Sequence, residues 1–484
     1  MTHTVTAPAQ DARLGPEIRR LAVVVVLGAF MTVLDSTIVN VAVTTLGQDF
    51  DTSLSTIQWV LTGYTLALSM TIPLTGWAVR RFGPRRMWLA SLVLFAAGSV
   101  LCGLAWSVPA LIAFRVLQGI GGGMIMPVGQ TMLARAAGPD RMGRVMSVVA
   151  VPAMIAPVLG PLVGGGIVDH LSWRWLFYVN VPFCAAALAA AVLMLPRDTE
   201  RDASARLDVA GLALLSPGLA ALVYGLAQAG DGVPLSGARF LVPVLAGAAL
   251  VAGFVAHALR KRERALVDLR ALRSRSFIAM SGGAFVYCLS LFGLMVLVPL
   301  YAQIVRGDTP LESGWLLAPL GLGAMVTMPV SGRLTDRLGQ RPLAVAGTLL
   351  VLAGAALLAT VDPGTGRLAI MGMGLVVGLG HGTAMPAVQA AFYRGLPRDA
   401  VPAATTASNI LIRVGSSFGT AVTAVVLQIM IRDGLPGASG NLREAAAAHR
   451  PDLLSDAFTG TFWCSAALLA VAVLPMLAIP RKGR

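Results

Sequence analysis

Gly76-Trp77-Ala78-Val79-Arg80-Arg81-Phe82-Gly83-Pro84-Arg85 returns 256 residues later as Gly332-Arg333-Leu334-Thr335-Asp336-Arg337-Leu338-Gly339-Gln340-Arg341. Gly76, Arg81, Gly83 and Arg85 match Gly332, Arg337, Gly339 and Arg341 at that single offset. Both copies follow a long apolar run, so they mark a duplicated unit. Six membrane-crossing helices with short connections need roughly 200 residues, at roughly 20 per helix. The longer period leaves room for two more helices between the copies. The reading is six, two, six: a six-helix bundle over 1–195, two linker transmembrane helices over 196–262 and a second six-helix bundle over 263–484. The expected fold class is an all-α membrane protein with 14 transmembrane helices.

Composition agrees. The 484 residues are 56% hydrophobic and 12% charged, with mean hydropathy +0.77, more apolar surface than a soluble chain of this length can bury. A net charge of +14 would suggest nucleic acid in a soluble protein. Here the charges sit in short loops between apolar runs and read as topology, so no nucleic-acid partner is expected. With the N-terminus inside and the loops alternating, 28 of the 37 Lys and Arg residues fall on the inner side and 7 on the outer. By the positive-inside rule both termini are cytoplasmic and the chain is a multi-pass protein of the cell membrane. Cys102, Cys184, Cys288 and Cys464 lie in apolar runs and read as small fillers. No metal site, phosphate-binding loop or nucleophile–base pair stands out, and lysine occurs only at 261 and 482. The expectation is no enzyme and no cofactor, with an ion gradient as the energy source.

Within the first apolar run, 21–46, lies Asp35. A carboxylate near the bilayer centre costs about 2.5–3.5 kcal/mol on insertion scales, so such a group is kept for a function. At helical spacing Thr32, Asp35, Ser36, Asn40 and Thr44 share one half of the helix, and Leu34, Ile38 and Val41 lie opposite. Burial favours a neutral carboxyl and a nearby cation favours a charged one. A carboxyl whose surroundings alternate can therefore load a proton on one side and release it on the other. Arg115, six residues into the fourth run, cannot carry that proton but can tune the carboxylate, and Gln118 lies on its face. Arg413 is a second cation inside a run, and His381 reads as a packing residue. Trp59 reads as an interfacial anchor or a stacking surface, with Tyr64 near it. The segment 432–458 is a polar outer loop, with a short helix expected over 444–449.

The two glycine-punctuated loops resemble the Gly-x-x-x-Asp-Arg-x-Gly-Arg-Arg signature of the major facilitator superfamily. The fourteen-span layout resembles its drug:proton antiporter branch, the EmrB/QacA type. Leu34 through Ala42 looks like that branch's first-helix motif, and Arg115-Val116-Leu117-Gln118-Gly119 resembles its fourth-helix motif, tied to proton transfer. Pro157, Gly160, Pro161, Gly164 and Gly165 match the fifth-helix antiporter motif, and the stretch from Asp169 to Pro182, with Asn180, also reads like the branch. The first loop departs from the signature, carrying Arg80 where the second keeps Asp336. The resemblance implies gating loops at Gly76, Arg81, Gly83, Arg85, Gly332, Asp336, Arg337, Gly339 and Arg341. It also implies a fifth-helix bend that seals the bundle interface.

The expectation is a monomeric, proton-coupled exporter of a small amphipathic substrate, working by alternating access. Asp35 and Arg115 couple the proton, and Asp35, Asn40, Trp59, Tyr64, Gln118 and Arg413 contact substrate. The alternatives are a proton-coupled carrier of one metabolite on the same fold and, from another class, a membrane sensor. A sensor would need a sizeable soluble domain, and no stretch between apolar runs is long enough to hold one.

Overall fold

The computed structural model describes residues 15–138, 141–198, 202, 204–230, 233, 236–261, 265–267, 275–396, 400–434 and 451–480, and they are helical almost throughout. In the first half α1 (Pro16–Ile38) runs through a 3-10 turn, Val39–Ala42, into α2 (Val43–Asp49). Helix α3 (Leu54–Thr71) runs through a second such turn, Ile72–Leu74, into α4 (Thr75–Phe82). Then come α5 (Pro84–Gly103), α6 (Val108–Ala137), α7 (Met142–His170), α8 (Trp175–Tyr178) and α9 (Asn180–Met194). Helices α10 (Val209–Gly230) and α11 (Ala238–Lys261) form a hairpin. The second half holds α12 (Arg275–Val305), α13 (Pro310–Leu338), α14 (Gln340–Leu358), α15 (Arg367–Ala391), α16 (Val401–Gly434) and α17 (Pro451–Leu477).

Twelve stretches among the described residues are long and apolar enough to cross a membrane. The other two expected runs are helical as well. Helix α7 has 29 residues. The α3–α4 pair is broken at Pro73, which lacks an N–H and whose ring crowds the carbonyl four residues back, so the chain tightens into a 3-10 turn. Prolines inside α6, α10, α11, α12, α13, α15 and α17 leave the helices continuous. The expected short helix over 444–449 lies outside the described residues.

The packing repeats as the sequence does. Helix α1 packs on α7 and α9, as α12 packs on α16 and α17; α5 packs on α6 and α9, as α14 packs on α15 and α17. Helix α3 lies on α6 as α13 lies on α15. In the linker hairpin, α10 touches α3 of one half and α16 of the other. Its partner α11 is peripheral: only 11% of its apolar window is buried, and Leu245 is 63% exposed, as suits a lipid-facing helix.

Asp208, just ahead of α10, ties this hairpin together. Its carboxylate accepts from His257 Nε2 (3.0 Å), Lys261 Nζ (2.7 Å) and the backbone N–H groups of Gly211 and Leu266 (both 3.1 Å). Burial pushes this carboxyl up, but the bonds from Lys261 and His257 and the two N–H groups outweigh it and hold it down to about 2. A folded-state value below the ordinary one gives stability that is present at neutral pH and fades as pH falls from about 4 towards about 2. Asp208→Asn is therefore expected to lower stability by about 2 kcal/mol at pH 7 and to flatten the acid dependence. Thermal unfolding at pH 7 and pH 3 measures both.

Candidate functional site

Four helices converge on one carboxylate. Asp35 of α1, Ser99 of α5, Arg115 and Gln118 of α6 and Asn180 at the start of α9 are all fully buried. Arg115 Nη1 donates to Asp35 Oδ2 at 2.7 Å. Gln118 Nε2 (2.9 Å) and Asn180 Nδ2 (2.7 Å) donate to Oδ1. Arg115 Nη1 also reaches Gln118 Oε1 at 2.7 Å, and its Nε donates to the Val60 carbonyl at 3.3 Å. Ser99 accepts from both amides at 3.1 Å and donates to the Phe177 carbonyl at 2.9 Å. The Tyr64 ring covers the guanidinium, 4.1 Å from its centroid to the Arg115 Cζ. Such a pair persists in a dry interior because nearly every polar atom is matched. One is not: the buried Asn180 Oδ1 has no hydrogen-bond partner.

Close helix contact sets this geometry. A Cβ added at Gly98 of α5 would lie 2.7 Å from the Gln118 Cα, so glycine there lets α6 bring Gln118 up to Asp35. Gly98→Ala is expected to force α5 and α6 apart, lowering stability by about 1–3 kcal/mol and reducing transport. Gly165→Ala, where nothing lies within 4 Å, is expected to be neutral. Thermal unfolding in detergent compares the two.

Of the residues expected at the site, Asp35, Arg115, Gln118 and Tyr64 come together. Asn40 is exposed in the 3-10 turn and lies outside the cluster. Trp59 is 43% exposed and stacks on Tyr224 of α10, ring centroids 5.6 Å apart. Arg413 of α16 faces the first half, with Nε 3.4 Å from Ser69 Oγ. His381 is buried, with Nδ1 2.8 Å from the Tyr287 hydroxyl.

The apolar side of α1 packs on α7: Ile38 is buried against Gly164, and Gly160 lies on Thr37. The antiporter-motif glycines of α7 therefore press on α1 within their own half. Pro157 and Pro161 are helical, and their side chains lie outside the described residues.

The halves meet at the end that carries the repeated loops. Gly76 lies against Thr406 and Pro402 of α16, and Gly332 against Gly143 and Ser147 of α7. Asp336 accepts from the Gly143 N–H and from Arg144 Nε, both at 2.9 Å, and so pins α13 to the first turn of α7. Among the described residues the first loop makes no such ion pair to the other half. Gly83, at φ 92°, turns the chain into α5, and Asp198 caps that helix by accepting from Arg85 N (2.9 Å) and Arg86 N (3.1 Å). Gly339, at φ 91°, makes the equivalent turn ahead of α14. Arg81, Arg337 and Arg341 lie at the same end, Arg337 exposed.

Sequence reasoning did not assign Ser99, Asn180, Arg144 or Asp198 to these sites. Asn180 was visible as an amide opening an apolar run, whereas a serine in such a run carries no signal.

A two-half helical scaffold of membrane-spanning length, with an ion pair sealed inside one half, defines a multi-pass membrane transporter. The sequence profile of the Major Facilitator Superfamily matches residues 25–420, and the chain belongs to that family. A multidrug resistance protein B homolog of Mycobacterium tuberculosis is 37% identical over 97% of this chain and 91% of its own length. A putative multidrug resistance protein, MdtD, of Serratia proteamaculans is 30% identical over 94% and 92%. The proton:xylose symporter XylE, solved with 6-bromo-6-deoxy-D-glucose, is similar in fold at TM-score 0.61 and 16% identity, covering 96% of each chain.

Proposed function

We propose that the protein is a proton-driven exporter of amphipathic, drug-like compounds, of the fourteen-span EmrB/QacA type. In this reading it is a monomer in the cell membrane with both termini cytoplasmic. Its halves, 1–195 and 263–484, rock about the site while the linker helices of 196–262 stay with the bundle. The observation that carries the reading is the Asp35–Arg115 pair with its three amide and hydroxyl supports. The names of the two multidrug resistance relatives support the drug-like substrate class.

Chemically, a proton entering this network neutralises Asp35 and leaves Arg115 uncompensated, so protonation and rearrangement are linked. Turning the Asn180 amide would offer its unpaired Oδ1 to a protonated Asp35. With the termini cytoplasmic, the closed end carrying the repeated loops faces the cytoplasm. One charge moving through 100 mV supplies about 2.3 kcal/mol, enough for about fiftyfold accumulation per proton.

The test is substrate-induced proton movement in everted vesicles. Adding a toxic amphiphile is expected to release protons from energised vesicles, and added substrate driving protons inward would instead mark a symporter.

A further inference from the structure

We propose that Arg413 receives an anionic oxygen-bearing group of the cargo, a carboxylate, sulfonate or phosphate, so that the transporter carries organic anions or zwitterions. This rests on the transport reading above and adds the charge of the substrate to it.

Three charges decide the field inside the spans. Asp35 and Arg115 cancel one another at 2.7 Å. Arg413, a third of the way along α16, forms no ion pair with any carboxylate among the described residues, and among them its guanidinium makes a single hydrogen bond, a long one to Ser69 Oγ, 3.4 Å. A guanidinium has five N–H donors, so most of its capacity is unspent. A charge left uncompensated in a span is costly, and an anion beside it offsets that cost.

The surroundings suit a ligand. Asn409, Arg413, Ser416, Ser417 and Thr420 form a polar ridge on one side of α16, and each is partly exposed. Ser416 and Ser417 both donate to the Arg413 carbonyl (2.8 and 3.1 Å), which leaves the guanidinium to other partners. Asn409 Nδ2 binds Gln130 Oε1 of α6 at 2.7 Å, fixing α16 against the first half one turn away. Ser69 belongs to α3, the helix whose Tyr64 ring covers Arg115, so α3 carries contacts to both arginines. The planar fork of a guanidinium matches two oxygens of a carboxylate, sulfonate or phosphate, which no neutral amphiphile offers.

The test is equilibrium binding to the full chain in nanodiscs, using 2-naphthoate, 2-naphthalenesulfonate and 2-naphthyl phosphate against methyl 2-naphthoate and the cation ethidium. At least one oxyanion is expected to bind about tenfold or more tightly than the neutral ester, the margin of one charge-assisted hydrogen bond. Arg413→Gln is expected to erase that margin. If Arg413→Gln does not fold, Arg413→Lys serves: the charge without the fork should shrink the margin, and an unchanged margin counts against the proposal. Wild type with no preference for any oxyanion overturns it, as does a preference that survives Arg413→Gln. Binding is read without a proton gradient. Oxyanion preference without proton release would leave Arg413 standing and remove the antiport, and ethidium-driven proton release without oxyanion preference would do the reverse.

Discussion

Replacing Asp35 by Asn is expected to abolish uphill transport and to lower stability by about 3–5 kcal/mol, because it leaves the Arg115 guanidinium buried without its counter-ion. Asparagine keeps the shape and most of the hydrogen-bonding positions, so the loss is electrostatic. The double variant Asp35→Asn/Arg115→Gln removes both charges. It should recover much of the stability and none of the coupling, since no titratable carboxyl remains at the centre of the network. Thermal unfolding reads the first effect, and accumulation against a gradient under an imposed pH difference reads the second. Uphill transport that persists in either variant would remove Asp35 from the proton path.

A comparably large effect is expected where the halves are pinned. Asp336 is 4% exposed at its side chain and holds both the Gly143 N–H and Arg144. Asp336→Asn removes the charge from both bonds at once. At about 1.5–3 kcal/mol for bonds to a charged group, the closed arrangement should lose about ten- to a hundredfold in population. Ser147, 2% exposed and in contact with Gly332, reports the change. As a cysteine in a cysteine-free background it should be nearly inert to an impermeant maleimide at the loop-bearing end, and should react readily once Asp336 is asparagine. Asp198→Asn is the contrast. That carboxylate, at the start of the linker segment, caps α5 of the first half, so its loss should cost about 1 kcal/mol and leave Ser147 shielded. Equal labelling in the two variants would contradict the assignment of the pin to Asp336 alone.

Much of this was legible in the chain itself. The offset between Gly76 and Gly332 marked the two-fold repeat, and the structure shows what those residues do: each glycine lies against a helix of the other half. Asp35 and Arg115 were readable because a charge in an apolar run has no cheap explanation. Gln118 was readable beside Arg115, whereas Ser99 and Asn180 could not be placed. Ser99 and Asn180 lie 64 and 145 residues from Asp35, and a short polar side chain among apolar neighbours gives no hint of what it faces. The loop that lacks its acid was visible at Arg80, but Asp198, the carboxylate that caps the helix after it, comes from beyond the last helix of the bundle, a closeness that only folding creates. The second run was readable as apolar yet not as broken, because the effect of Pro73 depends on whether neighbouring helices support the carbonyl it frees. The face of α7 that carries Gly160 and Gly164 could be read as a close-packing surface, but not as one turned towards α1.

The central claim is that the Asp35 carboxyl gains and loses the transported proton. Infrared difference spectra of the protein in lipid, recorded on adding a transported compound, test it most directly. A protonated-carboxyl band is expected that changes with substrate, shifts in heavy water and is missing in Asp35→Asn. The same band persisting in Asp35→Asn, or no carboxyl band in a wild-type protein that releases protons, would contradict it.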